Sequence, residues 1–252
     1  MDFRHKNVLI TGGSRGIGKA VAMAFAAQGA RVAINFRDNN EAAAQTVAQL
    51  EGEDHFAVKA DITHPTAVKH MLETVVKEFG RLDILVNAAG VYLAHPLDDV
   101  TYEAWQSAWK YTLDVNLNGA ANVSYCAAQY MIRQGGGRII NISSRGAFRG
   151  EPNHPAYAAS KAGLNALSQS LAQALGKHKI YVFAIAPGFV ETDMARDILD
   201  GPLGDDIRRQ SPLARVAHPA EVAYAVLYFA SEGAEFSTGA ILDINGASYL
   251  RT

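Results

Sequence analysis

Tyr157 and Lys161 lie four residues apart in the segment "AYAASKAGLNAL", 156–167. The segment is rich in alanine and leucine, follows Pro155 and repeats its apolar positions at helical spacing, so it predicts a helix. Side chains four apart meet on one helix face, which sets a phenol beside an ammonium at the helix start. A surface pair is the commoner explanation. The chemical alternative is that the lysine lowers the phenol's pKa until it trades a proton near neutral pH.

A second candidate group is the glycine run in "VLITGGSRGIGKAVAMAFAAQGA", 8–30. An apolar strand pattern leads through Gly12, Gly16 and Gly18 into an apolar helix pattern. Glycines at these positions let the backbone turn tightly and approach a pyrophosphate, whose charge rests on the following helix N-terminus. A lone glycine motif is weak evidence, but here its strand–turn–helix context is right. Asp61 and Ile62 end the third apolar run, where a carboxylate can accept from an adenine amino group. "NAAG", Asn87 to Gly90, ends the fourth.

Seven short apolar runs must carry these groups: "NVLIT", "RVAINF", "HFAVKA", "LDILVN", "GRIINIS", "IYVFAIA" and "AILDING". All read as buried on both faces. They alternate with helix patterns near 16–28, 40–51, 65–79, 101–133, 155–175 and 219–230, the signature of βαβ units around a parallel sheet. In open α/β sheets the ligand crevice lies outside the C-terminal strand ends, where the polar and small residues collect. A chain of 252 residues that is 49% apolar suits one large domain spanning 1–252. A net charge of −2 without a basic patch argues against nucleic acid. The single cysteine, Cys126, forms no intramolecular disulfide, has no metal-site neighbours, and favours a reducing compartment. It reads as a buried small hydrophobe. No stretch reaches the roughly 18 apolar residues of a membrane helix, and the N-terminus is unlike a signal peptide. A cytoplasmic protein is predicted. The longest irregular segment, about 188–218, carries Gly201, Pro202, Gly204 and Pro212 and reads as a lid over 189–215.

Taken together, "TGGSRGIG", "NAAG", Asn116 in "LDVNLNG", "ISS", "YAASK" and "APGFVET" resemble the classical short-chain dehydrogenases/reductases along essentially the whole chain. The resemblance implies a doubly wound Rossmann fold, with a parallel seven-stranded sheet and helices on both faces. It implies that Tyr157 is the general acid or base at a carbonyl or alcohol oxygen. Lys161 would lower the Tyr157 pKa and bind the nicotinamide ribose, and a serine would hold the substrate oxygen. Ser143 and Ser144 are both candidates, and adjacent residues leaving a strand point to opposite faces. The family's spacing of thirteen residues to the tyrosine selects Ser144. Asn116 would interrupt its helix and support a proton-relay water. Pro187, Gly188 and Val190 would shape the turn beside the nicotinamide, and Thr192 would contact its carboxamide. Ser14, Arg15, Ile17, Ala88 and Gly90 complete the implied cofactor contacts. His95 and His154 flank the expected pocket and are read as non-catalytic.

Within the family the pattern looks most like 3-oxoacyl-[acyl-carrier-protein] reductases. Those place arginines for carrier-protein docking where this chain has Gly135 and His178, which argues against a carrier protein as partner. NAD-specific members carry an acidic residue where Phe36 stands. Phe36, followed by Arg37 and with Arg15 in the glycine loop, implies NADP(H) in preference to NAD(H). The implied activity is hydride transfer between NADP(H) and a small-molecule carbonyl or secondary alcohol, including a 3-oxoacyl thioester. A dehydrogenase of a sugar, polyol or other small alcohol is the alternative, and a non-catalytic dinucleotide sensor the second. An extended-type epimerase would need a different glycine spacing and a longer C-terminal domain. The resemblance also implies a homotetramer. The helices near 101–133 and 155–175 and the C-terminal "ILDINGASYLRT" would make the contacts.

Overall fold

The computed structural model describes residues 1–251. Its sheet is parallel throughout, with strand order β3-β2-β1-β4-β5-β6-β7. The strands are β1 (Asn7–Thr11), β2 (Arg31–Phe36), β3 (Phe56–Lys59), β4 (Ile84–Asn87), β5 (Gly137–Ile142), β6 (Ile180–Pro187) and β7 (Ile241–Ile244). The helices are α1 (Gly16–Ala26), α2 (Asn40–Ala48), α3 (Pro65–Phe79), α4 (Tyr102–Leu113), α5 (Ala120–Gln134), α6 (Gly146–Arg149), α7 (Pro155–Leu175), α8 (Asp193–Leu199), α9 (Gly204–Arg209) and α10 (Pro219–Ala230).

Strand alternation divides the core into two layers. Val8, Ile10, Ile34, Val86, Ile140 and Phe183 face α1 and α10, while Leu9, Ala33, Leu85, Ile139 and Val182 face α3, α5 and α7. A slip of one residue in register would exchange the two sets, so the pattern fixes the pairing. The central strands are buried along their length, as the apolar runs predict. The edge strands β3 and β7 are only partly covered, because an edge has one neighbour and a thinner helical layer.

The chain changes direction of winding between β1 and β4, whose final residues Thr11 and Asn87 pair. Helices leave these two strands toward opposite faces and open a crevice at the carboxyl ends. Two points differ from the sequence reading. The long pattern at 101–133 is α4 and α5 joined by a π-helical turn, Asp114–Gly119, centred near Asn116. The segment 188–218 is not irregular, since it contains α8 and α9 with a small apolar cluster of Ala195, Leu199 and Ile207. Each helix spans two turns or fewer, too short for a 3.6-residue period to register.

Candidate active site

The glycine turn is built by steric necessity. Gly12 and Gly16 have φ of +64° and +54°, a region that favours glycine. A Cβ on Gly12 would lie 2.7 Å from Ala89 Cα, and one on Gly18 would lie 2.3 Å from the Gly12 carbonyl oxygen. The turn therefore rests directly on the β4–α4 loop, where the Ala88 and Ala89 amides donate to Thr11 Oγ1, each at 3.2 Å. Arg15 precedes α1 in an extended conformation and makes no side-chain cap. The first-turn N–H groups of α1 thus remain available to an anion. An open cleft of about 1390 Å³ runs over this turn, lined by Gly12, Ser14, Arg15, Gly16, Ile17, Gly18, Arg37, Asp61, Ile62, Ala88, Gly90 and Thr192.

At the far end of this cleft Phe36 is buried, while Arg37 is half exposed at its rim. Arg37 is held by Asp38 and by the Tyr111 hydroxyl. Asp61 Oδ1 accepts from the Thr63 amide at 2.9 Å and hydroxyl at 2.7 Å. Burial pushes its pKa up, but the Thr63 bonds with His64 and Arg37 hold it below the usual carboxylate value. Asn87 lines neither this cleft nor the next. Its side chain turns inward, is 3% exposed, and donates to Ser124 Oγ at 2.9 Å and Asn141 Oδ1 at 2.8 Å. It braces the β4–β5 strand ends, while the following residues Ala88, Ala89, Gly90 and Val91 line the cleft.

A second cleft, about 820 Å³, continues from the first through Ile17, Ala88, Gly90 and Thr192. Ser144, Tyr157, Lys161, Pro187, Gly188 and Val190 line it. Gly188 is pressed against β7, with a notional Cβ 3.1 Å from Asn245 Cα. The two serines separate as strand geometry requires. The Ser143 hydroxyl donates to the Lys161 backbone oxygen at 3.2 Å, whereas Ser144 bonds the Tyr157 phenol. Ser144 Oγ also accepts from the Gly146 amide at 3.0 Å, which fixes its rotamer.

Lys161 is buried, and its Nζ donates to the Ile142 carbonyl oxygen at 2.8 Å while lying 5.7 Å from the Tyr157 ring centroid. Burial lowers its pKa to about 8. The phenol moves opposite to the sequence expectation. Burial pushes Tyr157 up to about 12, and the Ser144 hydrogen bond opposes this without reversing it. The nearby Glu151 carboxylate adds to the rise. A phenol taken out of water holds its proton more tightly.

Asn116 lies in neither cleft lining and works from behind. Its Oδ1 accepts from the Val91 amide at 2.8 Å, and its Nδ2 donates to the Val91 carbonyl at 3.0 Å and to Ser160 Oγ at 3.1 Å. The π turn aims this side chain between the β4–α4 loop and α7. Its Oδ1 and the Lys161 Nζ both approach Gly90, 3.4 and 3.6 Å from a notional Cβ. Asn116 thereby ties the β4–α4 loop to α7.

Several lining groups carried no sequence signal. Tyr92 packs edge-on against Tyr157 at 4.7 Å and stacks on His154 at 3.6 Å. Burial, with His95 nearby, lowers the His154 pKa to about 4, so it is neutral at physiological pH. His95 is 1% exposed and structural: its Nδ1 donates to the Leu93 carbonyl and its Nε2 accepts from the Ala156 amide. Glu151, Arg145 and Phe189 also line the second cleft. They sit in loops brought together only by folding. Cys126 is partly rather than fully buried, packed at the edge of the α3–α5 layer.

A glycine cradle for a pyrophosphate opening onto a Ser-Tyr-Lys group is the arrangement of a dinucleotide-dependent oxidoreductase. The chain matches, over residues 12–247, the family described as enoyl-(acyl carrier protein) reductase. It is 37% identical over 247 residues to the 3-oxoacyl-[acyl-carrier-protein] reductase FabG of Staphylococcus aureus, covering 97% of this chain and 98% of that protein. It is also 37% identical over 249 residues to D-threitol dehydrogenase of Mycolicibacterium smegmatis, covering 97% and 94%. A solved dehydrogenase/reductase from Sinorhizobium meliloti superposes with a TM-score of 0.90 at 32% identity, covering 99% of this chain and 97% of that one. A short-chain type dehydrogenase/reductase from Mycobacterium ulcerans does so at 0.91 and 31%, covering 98% and 91%. The chain belongs to the short-chain dehydrogenase/reductase family. It is an oxidoreductase that uses a nicotinamide dinucleotide.

Proposed function

We propose that the protein reduces a ketone to a secondary alcohol, or the reverse, with NADP(H) preferred over NAD(H). The carrying observation is that Ser144, Tyr157 and Lys161 line one cleft that opens directly onto the glycine-turn cleft. When bound, the nicotinamide supplies or accepts the hydride. Tyr157 donates its phenolic proton to the carbonyl oxygen as negative charge develops there. Ser144 hydrogen-bonds the same oxygen and stabilises that charge. Lys161 holds the ribose hydroxyls and returns a proton toward the phenol. The residues Gly12, Ser14, Arg15, Gly16, Ile17, Gly18, Asp61, Ile62, Ala88, Gly90, Pro187, Gly188, Val190 and Thr192 hold the dinucleotide.

The cofactor preference rests on the rim of the first cleft. Phe36 offers no carboxylate to grip two ribose hydroxyls, and Arg37 stands beside it. A hydrogen bond to a charged group contributes about 1.5–3 kcal/mol, roughly a ten- to hundredfold preference. Asp38 competes for Arg37 and reduces that margin. A second reading, a dehydrogenase of a small polyol, is favoured by the resemblance to D-threitol dehydrogenase. A 3-oxoacyl thioester is the corresponding reading from the FabG resemblance. A cytoplasmic location accords with the single unpaired cysteine. No described helix is long and apolar enough to cross a membrane. The decisive experiment is a panel of ketones and alcohols, thioesters and polyols included, assayed with each cofactor. Higher kcat/KM for NADH across the panel defeats the cofactor assignment. No turnover of any member defeats the catalytic one and leaves the sensor reading.

A further inference from the structure

Arg145 follows Ser144 directly and is 2% exposed. A guanidinium leaves water at a cost that only a close counter-charge recovers. Arg145 has none. Its Nη1 donates to Ser248 Oγ and its Nη2 to Gln210 Oε1, both neutral groups, and it lies 5.2 Å from the Phe189 ring centroid. It borders two cavities, the cleft of Tyr157 and a second one behind Phe189. Every carboxylate lining those cavities is claimed by a different arginine. Glu151 pairs with Arg149 at 3.6 Å, Glu221 with Arg215 at 2.7 Å, and Asp243 with Arg251 at 2.7 Å. Lys161 adds a further cation to the first cleft, so its walls carry excess positive charge.

We propose that Arg145 anchors a carboxylate borne by the substrate, which makes oxo acids or their hydroxy acids the preferred substrates over neutral ketones. The proposal rests on the reading of this cleft as a carbonyl or alcohol site. Adjacent positions explain the geometry: Ser144 addresses the reacting oxygen while Arg145, one residue on, addresses the acid group toward Phe189. Nη1 and Nη2 each give one N–H to the protein, which leaves Nε and the remaining N–H edge for a planar carboxylate. Burial lowers the Arg145 pKa to about 10, consistent with a charge that lacks its partner.

The test compares straight-chain oxo acids with their methyl esters, carbonyl two to five carbons from the carboxyl group, together with a phosphorylated ketone, using NADPH. The acid is expected to exceed its ester at least about tenfold in kcat/KM at one spacing. Arg145→Gln should bring that ratio toward one, chiefly through KM, and Arg145→Lys should keep part of it. Glutarate, a substrate-free probe, should raise the melting temperature of the wild type and not of Arg145→Gln. If Arg145→Gln fails to fold, Arg145→Lys and the wild-type ratio still decide. Ser248→Ala with Gln210→Ala removes the neutral partners and keeps the charge, so the acid preference should survive; its loss there would mean that Arg145 is only a strut. Equal use of acid and ester by the wild type, acid preference that persists in Arg145→Gln, or preference for the phosphorylated ketone overturns the proposal. If no carbonyl compound is turned over while glutarate still stabilises the wild type alone, the reductase reading fails and the carboxylate site stands.

Discussion

Tyr157 and Lys161 are perturbed in ways that make opposite statements about stability. The Lys161 ammonium titrates at about 8 in the fold against 10.5 when free. Between those values the unfolded chain binds more protons, so this group's contribution to stability rises from about pH 8 to 10.5 and is flat below. Tyr157 titrates at about 12 against 10.0. There the folded chain holds the extra proton, so its contribution is complete below pH 10 and is lost as pH rises through 12. Lys161→Met should therefore melt at or above the wild-type temperature at pH 7, because a buried charge is replaced by an apolar side chain of similar length. The difference should shrink between pH 8 and 10.5, read from paired melting curves. The same variant should bind NADPH weakly and turn over little. Tyr157→Phe keeps the ring against Tyr92 and deletes the proton. Turnover should fall by about 10²–10⁴ with the NADPH dissociation constant nearly unchanged. Retention of turnover within a few-fold would remove Tyr157 from the proton-donor role.

At the level of elements, the π turn before α5 has an identifiable purpose. It rotates Asn116 inward so that one amide satisfies both backbone groups of Val91 and reaches Ser160. Asn116→Ala leaves those buried backbone groups unpaired, at about 1–3 kcal/mol. At this chain length that is a melting-temperature loss of several degrees. Amide exchange at Val91 should accelerate with it, which a surface substitution on α5 would not do. The excursion through α8 and α9 is tied down by a cluster of three buried residues and by the Arg145–Gln210 contact. So small a cluster supports only weak local stability. Residues 189–215 are therefore expected to exchange fast in the free protein and slowly with cofactor and substrate bound, as a closing lid does. Equal strong protection in both states rules the lid out.

Over the whole molecule, the protomer leaves surfaces that ask for a partner. Only Thr112 of α4 is buried, although the helix carries Trp105 and Trp109 stacked at 4.9 Å. Tyr125 on α5 is exposed, and so are Tyr224 on α10, Phe236 before β7 and Leu250 after it. Two such patches on different faces suit a homotetramer with two kinds of interface. Light scattering at micromolar concentration should give four times the 27.0 kDa chain mass. Tyr125→Asp should reduce it to a dimer. A monomeric mass for the wild type counts against both interfaces.

The sequence by itself determined the parallel sheet, its two helical layers and the glycine cradle. Each of these is written in local period or in backbone freedom, and both act over a few residues. It also placed Tyr157 and Lys161 on one face, because helix geometry converts a spacing of four into adjacency. The choice of Ser144 over Ser143 agreed with the family's spacing, and strand geometry then sent Ser143 to the α7 backbone. What only the tertiary structure decided depends on burial and on meetings between distant segments. Asn87 has a polar side chain at a strand end, and nothing local says that Ser124 and Asn141 claim it. The Tyr92–His154 stack joins two loops far apart in the chain. The direction of the Tyr157 shift depended on desolvation in the folded cleft and on the Ser144 and Glu151 side chains that folding brings near it. The Arg145 charge is conspicuous for a similar reason, since only the folded chain shows every nearby carboxylate taken by another arginine. Spacing is a property of the chain; desolvation and competition for partners are properties of the packed molecule.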